Sequence, residues 1–176
     1  MCGLLGEFGL SHSPKNEFYS ILKLSAKRGP DMIGYYNNLK EKTDGEPFLQ
    51  LGFNRLSILD LTNNANQPIV SKSNRYVVMC NGEITNYLSL KKEMGLKPKN
   101  LRSNSDTEVL CHAFDHYGIK GAIDRINGMY AIVVYDLTNH QLFLIRDPAG
   151  IKPIYFAHTN NELNHNNLSL RPHILI

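Results

Sequence analysis

The chain has 176 residues, 42% of them hydrophobic and 20% charged, which suits one soluble globular domain with a sizeable core and argues against two full domains. The formal net charge of +3 is spread along the chain with no run of Lys and Arg, so neither nucleic acid nor a membrane is expected as a partner, and no stretch approaches the ~18 consecutive apolar residues of a membrane span. Three scattered cysteines and seven scattered histidines point away from a disulfide framework and from a metal site, and the apolar start MCGLLGEFGL contains Glu7 and no basic leader, which together predict a cytoplasmic protein.

The chain opens with Met1-Cys2-Gly3. An aminopeptidase that removes Met1 would leave Cys2 with a free α-amino group beside its own thiol. Thiols (pKa about 8.5) and α-amines (about 7.7 to 8.0) both titrate near neutrality as classes, so one residue would hold a nucleophile and a base. Residues 3–9 then read as a buried strand. Residues 16–25 read as a helix, with Phe18, Ile21, Leu22 and Ser25 at helical spacing. The breaker at 26–31 ends it, and strands follow at 32–37, 48–53 and 55–59, with turn-rich residues 40–46 between the first two. Residues 60–68 form an Asn-rich polar loop. Residues 75–80 form a short apolar strand stopped by the turn pair Asn81-Gly82.

A helix is expected over 87–94 and a basic loop from there to Asn104. Ser105-Asp106-Thr107-Glu108 is a capping box, in which the Ser105 hydroxyl accepts from the Glu108 amide while the Glu108 carboxylate reaches back. It opens a helix with the apolar stripe Val109, Leu110, Ala113, Phe114 and Tyr117; Gly118 stops it, and residues 120–126 add a short second helix. Residues 129–136 and 141–146 read as a hairpin, and 154–157 as a further strand. Paired strands with paired helices predict an α+β domain with helices layered on antiparallel sheets.

Eight short blocks follow one another in a telling order: Cys2-Gly3, RGPD at 28–31, RLSI at 55–58, QP at 67–68, NGEITN at 81–86, SDTE at 105–108, GMYA at 128–131 and RDPAGIKPIYF at 146–156. Together they resemble the class II glutamine amidotransferase domain, most of all the N-terminal glutaminase domain of glutamine-hydrolysing asparagine synthetases. The resemblance covers residues 2–157. It implies an N-terminal-nucleophile hydrolase with a four-layer α/β/β/α sandwich, an enzyme that cleaves the glutamine side-chain amide to glutamate and ammonia. It implies no cofactor for this domain, ATP and magnesium belonging to a synthetase domain or subunit that would use the ammonia. Two positions depart from the family pattern: Thr85 where an aromatic is usual, and Pro148 where a basic residue is usual. The Asn- and His-rich residues 158–176 resemble nothing in the family and carry no helix or strand period, so they are expected to be a disordered or truncated tail, with the synthetase part missing.

By resemblance, Cys2 is the nucleophile, the Asn81 side chain and the Gly82 backbone amide form the oxyanion hole, Arg55 takes the substrate carboxylate, and Asp106 takes its amine. Glu83 and the backbone near Leu56 and Ile58 supply further contacts. Each residue taken alone has a plainer reading. Asn81-Gly82 suits a hairpin turn, Arg55 a surface ion pair, and Asp106 the positive end of its helix. Arg28, Asp31, Arg146 and Asp147 read as structural charges, and Cys80 and Cys111 as inert core thiols. Two functional classes stay open, an active glutaminase and a non-catalytic remnant of one that binds or regulates a partner.

Overall fold

A computed structural model of the chain describes residues 2–40, 42–158 and 173–175. The elements are β1 (Gly3–Gly9), α1 (Lys15–Leu24), β2 (Met32–Asn37), β3 (Phe48–Arg55), β4 (Ile69–Val70), β5 (Tyr76–Ile84), α2 (Tyr87–Glu93), α3 (Asp106–Ile123), β6 (Gly128–Asp136), β7 (Gln141–Arg146), β8 (Ala157–His158) and β9 (His173–Leu175). They form two sheets, one ordered β2-β3-β1-β9-β8 and the other β4-β5-β6-β7, and every strand pairing within them is antiparallel.

The alternation of side chains along β3 explains the layering. Leu49, Leu51 and Phe53 point to one face and meet Val77, Met79, Val133 and Tyr135 of the second sheet, making the core between the sheets. On the opposite face, Leu5 of β1 packs with Phe18 and Leu22 of α1. The second sheet does the same outward: Val78, Cys80, Ile132 and Val134 pack under Leu90 of α2 and Val109, Leu110, Ala113 and Phe114 of α3. Helix, sheet, sheet, helix is the four-layer α/β/β/α sandwich expected from the resemblance. Along α1, Phe18 and Leu22 are buried as the spacing predicts, while Ile21 is 43% exposed.

Four local expectations are corrected. β5 does not stop at Cys80. It runs through Asn81 and Gly82 to Ile84, because β6 offers it partners along its whole length, with Asn81 opposite Ala131 and Gly82 opposite Tyr130. The apolar alternation at 55–59 is not a strand. β3 ends at Arg55, the Ser57 N–H turns away to the Asp31 carboxylate at 2.7 Å, and Ile58 and Leu61 stand 75% and 74% exposed. In the capping box, Ser105 Oγ accepts from Glu108 N at 3.1 Å, but the Glu108 carboxylate reaches past Ser105 to the N–H groups of Arg102 (2.8 Å) and Ser103 (2.7 Å). Finally, of residues 154–157 only Ala157 enters a strand, β8.

Two expectations hold with added detail. Gly118 (φ 70°) kinks α3 and separates its two helical segments, and the 137–140 turn joins β6 to β7 as a hairpin. The expected tail falls mostly on residues 159–172 and 176, which lie outside the described residues. His173–Leu175, which the periodicity left without structure, pair with Glu7–Gly9 of β1 as β9. Among the described residues no helix is long and apolar enough to cross a membrane.

Candidate active site

A cavity of about 160 Å³ opens at one end of the sandwich, and all eight residues singled out in the sequence line it: Cys2, Arg55, Leu56, Ile58, Asn81, Gly82, Glu83 and Asp106. They come from four separate segments, so the convergence is a product of the fold and not of sequence proximity. Cys2 stands just before β1 and packs at the margin of the core between the sheets. Its Sγ accepts from the Leu56 N–H at 3.4 Å and lies 3.8 Å from the Leu56 carbonyl. Gly3 lets β1 approach Ser25: a Cβ there would fall 2.5 Å from Ser25 Oγ. Arg28 Nε donates to the Cys2 carbonyl at 3.3 Å and thereby anchors the residue's backbone.

Across the cavity, β5 presents its free edge. β4 covers only Val77 and Val78, so beyond that point the N–H groups directed away from β6 have no strand to pair with. Cys80 N donates instead to the Gln67 carboxamide (2.6 Å) and Ile84 N to the Asp106 carboxylate (2.8 Å). Gly82 lies between these two, and the two-residue period of an antiparallel strand turns its N–H the same way, into the cavity. A side chain at Gly82 is not accommodated, since its Cβ would sit 2.0 Å from the Met129 carbonyl. The Asn81 side chain is 7% exposed and forms no hydrogen bond among the described residues. Its carboxamide is therefore open to a molecule entering the cavity.

Arg55 is 5% exposed, which rules out the surface ion pair. Its guanidinium donates to the carbonyls of Asp60 and Thr62 (2.9 Å to the latter) and so holds the 56–62 loop over the cavity. Asp60 braces the same loop: its carboxylate accepts from Asn104 N (2.7 Å), Thr62 N (2.8 Å) and Thr62 Oγ1 (2.6 Å), and these donors keep it below the ordinary carboxylate range. Asp106 differs. Burial, with Glu83 nearby, pushes its carboxyl above the ordinary range against the pull of the Ile84 and Thr107 N–H groups. A cation bound beside Asp106 would favour its charged form.

The sequence reading missed several lining residues, among them Gln67, Thr107 and Lys152. Gln67 is the hub of one wall, donating to the Cys80 carbonyl and to Thr107 Oγ1, both at 3.2 Å. The QP pair at 67–68 was legible, but its long-range partners were not. Lys152 is carried to the cavity by a turn built on Asp147, whose carboxylate accepts from Ile151 N (2.8 Å), Lys152 N (2.9 Å) and Tyr130 N (3.2 Å). The four charges read as structural are so used: Asp31 holds Ser57 N, Arg146 holds the Gly150 carbonyl at 2.6 Å, Asp147 organises its turn and Arg28 binds backbone. Cys80 and Cys111 are buried, and burial pushes both thiols well up, so neither competes as a thiolate. Among the described residues no three His, Cys, Asp or Glu side chains are placed to hold a metal ion.

Asp147 yields a pH test. Burial alone would raise its carboxyl, but the three backbone donors outweigh that and bring it below the ordinary value of 3.8. A depressed folded-state pKa contributes stability that is present above the unfolded value and is lost as pH falls through the folded one. Asp147→Asn is therefore expected to be less stable than wild type in urea at neutral pH, with the gap closing as the pH falls through the ordinary carboxylate range and below it. A gap that stays constant over that range would show that the carboxylate charge contributes nothing.

Comparison with known proteins agrees with this geometry. A glutamine amidotransferase domain model matches residues 1–169. The chain is 33% identical over 168 residues to asparagine synthetase (glutamine-hydrolysing) 1 of Bacillus subtilis, covering 93% of this chain and 25% of that protein. It is 38% identical over 168 residues to asparagine synthetase 2 of the same organism, covering 93% and 21%. The Arabidopsis thaliana asparagine synthetase 1 is 32% identical over 160 residues, covering 89% and 25%. The chain thus spans about a quarter of the length of the curated relatives it matches. Among solved structures, glutamine phosphoribosylpyrophosphate amidotransferase from B. subtilis superposes with a TM-score of 0.65 at 18% identity, over 98% of this chain and 41% of that one, and so shares the fold. The chain belongs to the glutamine amidotransferase domain family, as a relative of the glutamine-hydrolysing asparagine synthetases.

Proposed function

We propose that, once Met1 is removed, Cys2 hydrolyses the side-chain amide of glutamine to glutamate and ammonia. The observation that supports this best is the meeting, in one cavity, of the Cys2 thiol, the unengaged Asn81 carboxamide and the inward-turned Gly82 N–H. The thiol passes its proton to the α-amine of the same residue, and the thiolate attacks the amide carbon. Negative charge collects on the amide oxygen, where Asn81 Nδ2–H and Gly82 N–H receive it. The α-ammonium then protonates the departing nitrogen, which leaves as ammonia, and a thioester remains. The freed amine takes a proton from water, the hydroxide displaces the thiolate, and glutamate departs with the thiol restored.

The far end of glutamine carries one charge of each sign. Arg55 would take the carboxylate with the guanidinium edge left over from its two carbonyl bonds, and Asp106 with Glu83 would take the ammonium. The half-buried backbone at Leu56 and the exposed side chain of Ile58 would line the approach. The ammonia would serve an amidation such as asparagine synthesis, carried out with ATP and magnesium by a synthetase domain or subunit. Residues 2–157 would make up the glutaminase domain.

The direct test is to incubate the purified chain with glutamine, aspartate, ATP and magnesium while quantifying glutamate and asparagine, with intact mass measured on the same sample. The expected result is glutamate without asparagine from protein whose mass begins at Cys2. Active protein that still carries Met1 would overturn the mechanism, because an amine tied in a peptide bond leaves no local base. Folded protein that begins at Cys2 and releases no glutamate would instead make this domain a binding or regulatory unit.

A further inference from the structure

We propose a second ligand site, for a phosphate-bearing small anion, in the cavity bounded by β4, the turn after it, the 99–102 segment and the outer side of α3. This cavity is distinct from the glutaminase site and measures about 470 Å³, room for a phosphorylated metabolite and not merely an inorganic ion. Lys72, Lys99, Arg102 and His112 line it, and so do Asn74 and Asn100.

The charges around it are unbalanced. Lys72 and Lys99 have no carboxylate within ion-pairing distance among the described residues. Glu108, the acid of the lining, has Arg102 Nε 4.0 Å away, but its oxygens are already engaged, Oε1 by Arg102 N at 2.8 Å and Oε2 by Ser103 N at 2.7 Å and by Ser103 Oγ. Arg102 keeps one bond to the Val70 carbonyl at 3.3 Å, and the rest of its guanidinium stays open. Three cations against the single carboxylate of Glu108 leave the lining with a net positive charge, and an Arg fork flanked by two Lys ammonium groups is a natural recipe for phosphate. Asp115, on the next turn of α3 and held by Ser73 N at 3.1 Å and by Ser73 Oγ, reduces this positive excess without reversing it, two carboxylates standing against three cations.

His112 supplies a local reporter. It is half-buried, and burial lowers its pKa; Glu108 and Asp115 pull it up, while Lys72 and Arg102 push it down. An anion seated between those two cations would neutralise the push and raise the His112 midpoint.

The test titrates the full chain with inorganic pyrophosphate, in low-chloride buffer, by calorimetry and by the His112 imidazole signals in NMR. Wild type is expected to bind one equivalent saturably, with the His112 midpoint moving upward. Lys72→Gln with Arg102→Gln should weaken binding at least tenfold, whereas Lys91→Gln with Lys92→Gln on α2, equally basic but remote from the cavity, should not. Circular dichroism checks that each variant is folded, and the single Lys99→Gln, at an exposed position, stands in if the double variant is not. Loss of affinity in both double variants alike would reduce the effect to general attraction by a basic protein and overturn the site. So would non-saturable binding, or saturation that leaves His112 unmoved. None of these readouts depends on glutamine hydrolysis.

Discussion

Cys2→Ala is expected to reduce glutamate release by on the order of 10⁴-fold or more, to the floor of a coupled assay, while leaving a folded protein. On the proposed mechanism one side chain both forms the covalent intermediate and starts the proton relay, so no partial mechanism would survive its loss. The structural cost is small: Cys2 lies at the margin of the core between the sheets, and its one inbound hydrogen bond is a long sulfur contact from Leu56 N at 3.4 Å. An unchanged melting temperature with abolished activity is the expected pairing. Residual glutamate release comparable to wild type would move the nucleophile elsewhere, although the remaining described cysteines are buried under the helices with thiols pushed well up.

Asn81→Ala is the second large effect, and it should strike kcat more than KM. The carboxamide has no partner among the described residues, so removing it orphans no donor or acceptor there and costs the fold little. On the proposed mechanism, what disappears is one of two donors aimed at a charge that exists only in the transition state, worth roughly 10² to 10³ in rate, or about 2.7 to 4 kcal/mol. Steady-state kinetics separates the cases. A loss seen as raised KM at constant kcat would make Asn81 a ground-state contact with glutamine instead. Gly82 cannot be probed as cleanly, because any added side chain meets the Met129 carbonyl.

Much of the fold was legible because its elements announce themselves locally. The strand at 3–9, the helix after it and the hairpin of β6 and β7 follow from periodicity and turn residues. The errors share one cause, which is that tertiary partners overrode local signals. Asn81-Gly82 reads as a turn pair until β6 supplies a full ladder opposite it. The RLSIL alternation reads as a strand until Asp31 takes the Ser57 amide and Arg55 ties the loop to its own base. Glu108 obeys the capping pattern in type but finds Arg102 N and Ser103 N ahead of Ser105 N. The residues that meet at the cavity were singled out through motif order, each motif being weak alone. Lys152 escaped because its position depends on the Asp147 turn, and a sequence does not say toward which cavity a turn faces.

The pairing of β1 has a consequence for the order of events at synthesis. Gly3 meets Asn54, and Gly9 meets Phe48, so the strand that follows Cys2 has no neighbour until residues 48–55 have been made. At about 5 to 20 residues per second, that leaves roughly 3 to 11 s in which the start of the chain is a loose extended segment. An aminopeptidase that trims Met1, as the proposed function requires, would meet its substrate in that interval. Once β3 arrives, Gly3 is buried and the Cys2 backbone is fixed by Arg28. The trimming of Met1 that the proposed function requires would therefore compete with the pairing of β1 and β3, and a chain in which that pairing was slowed would be expected to be processed more completely.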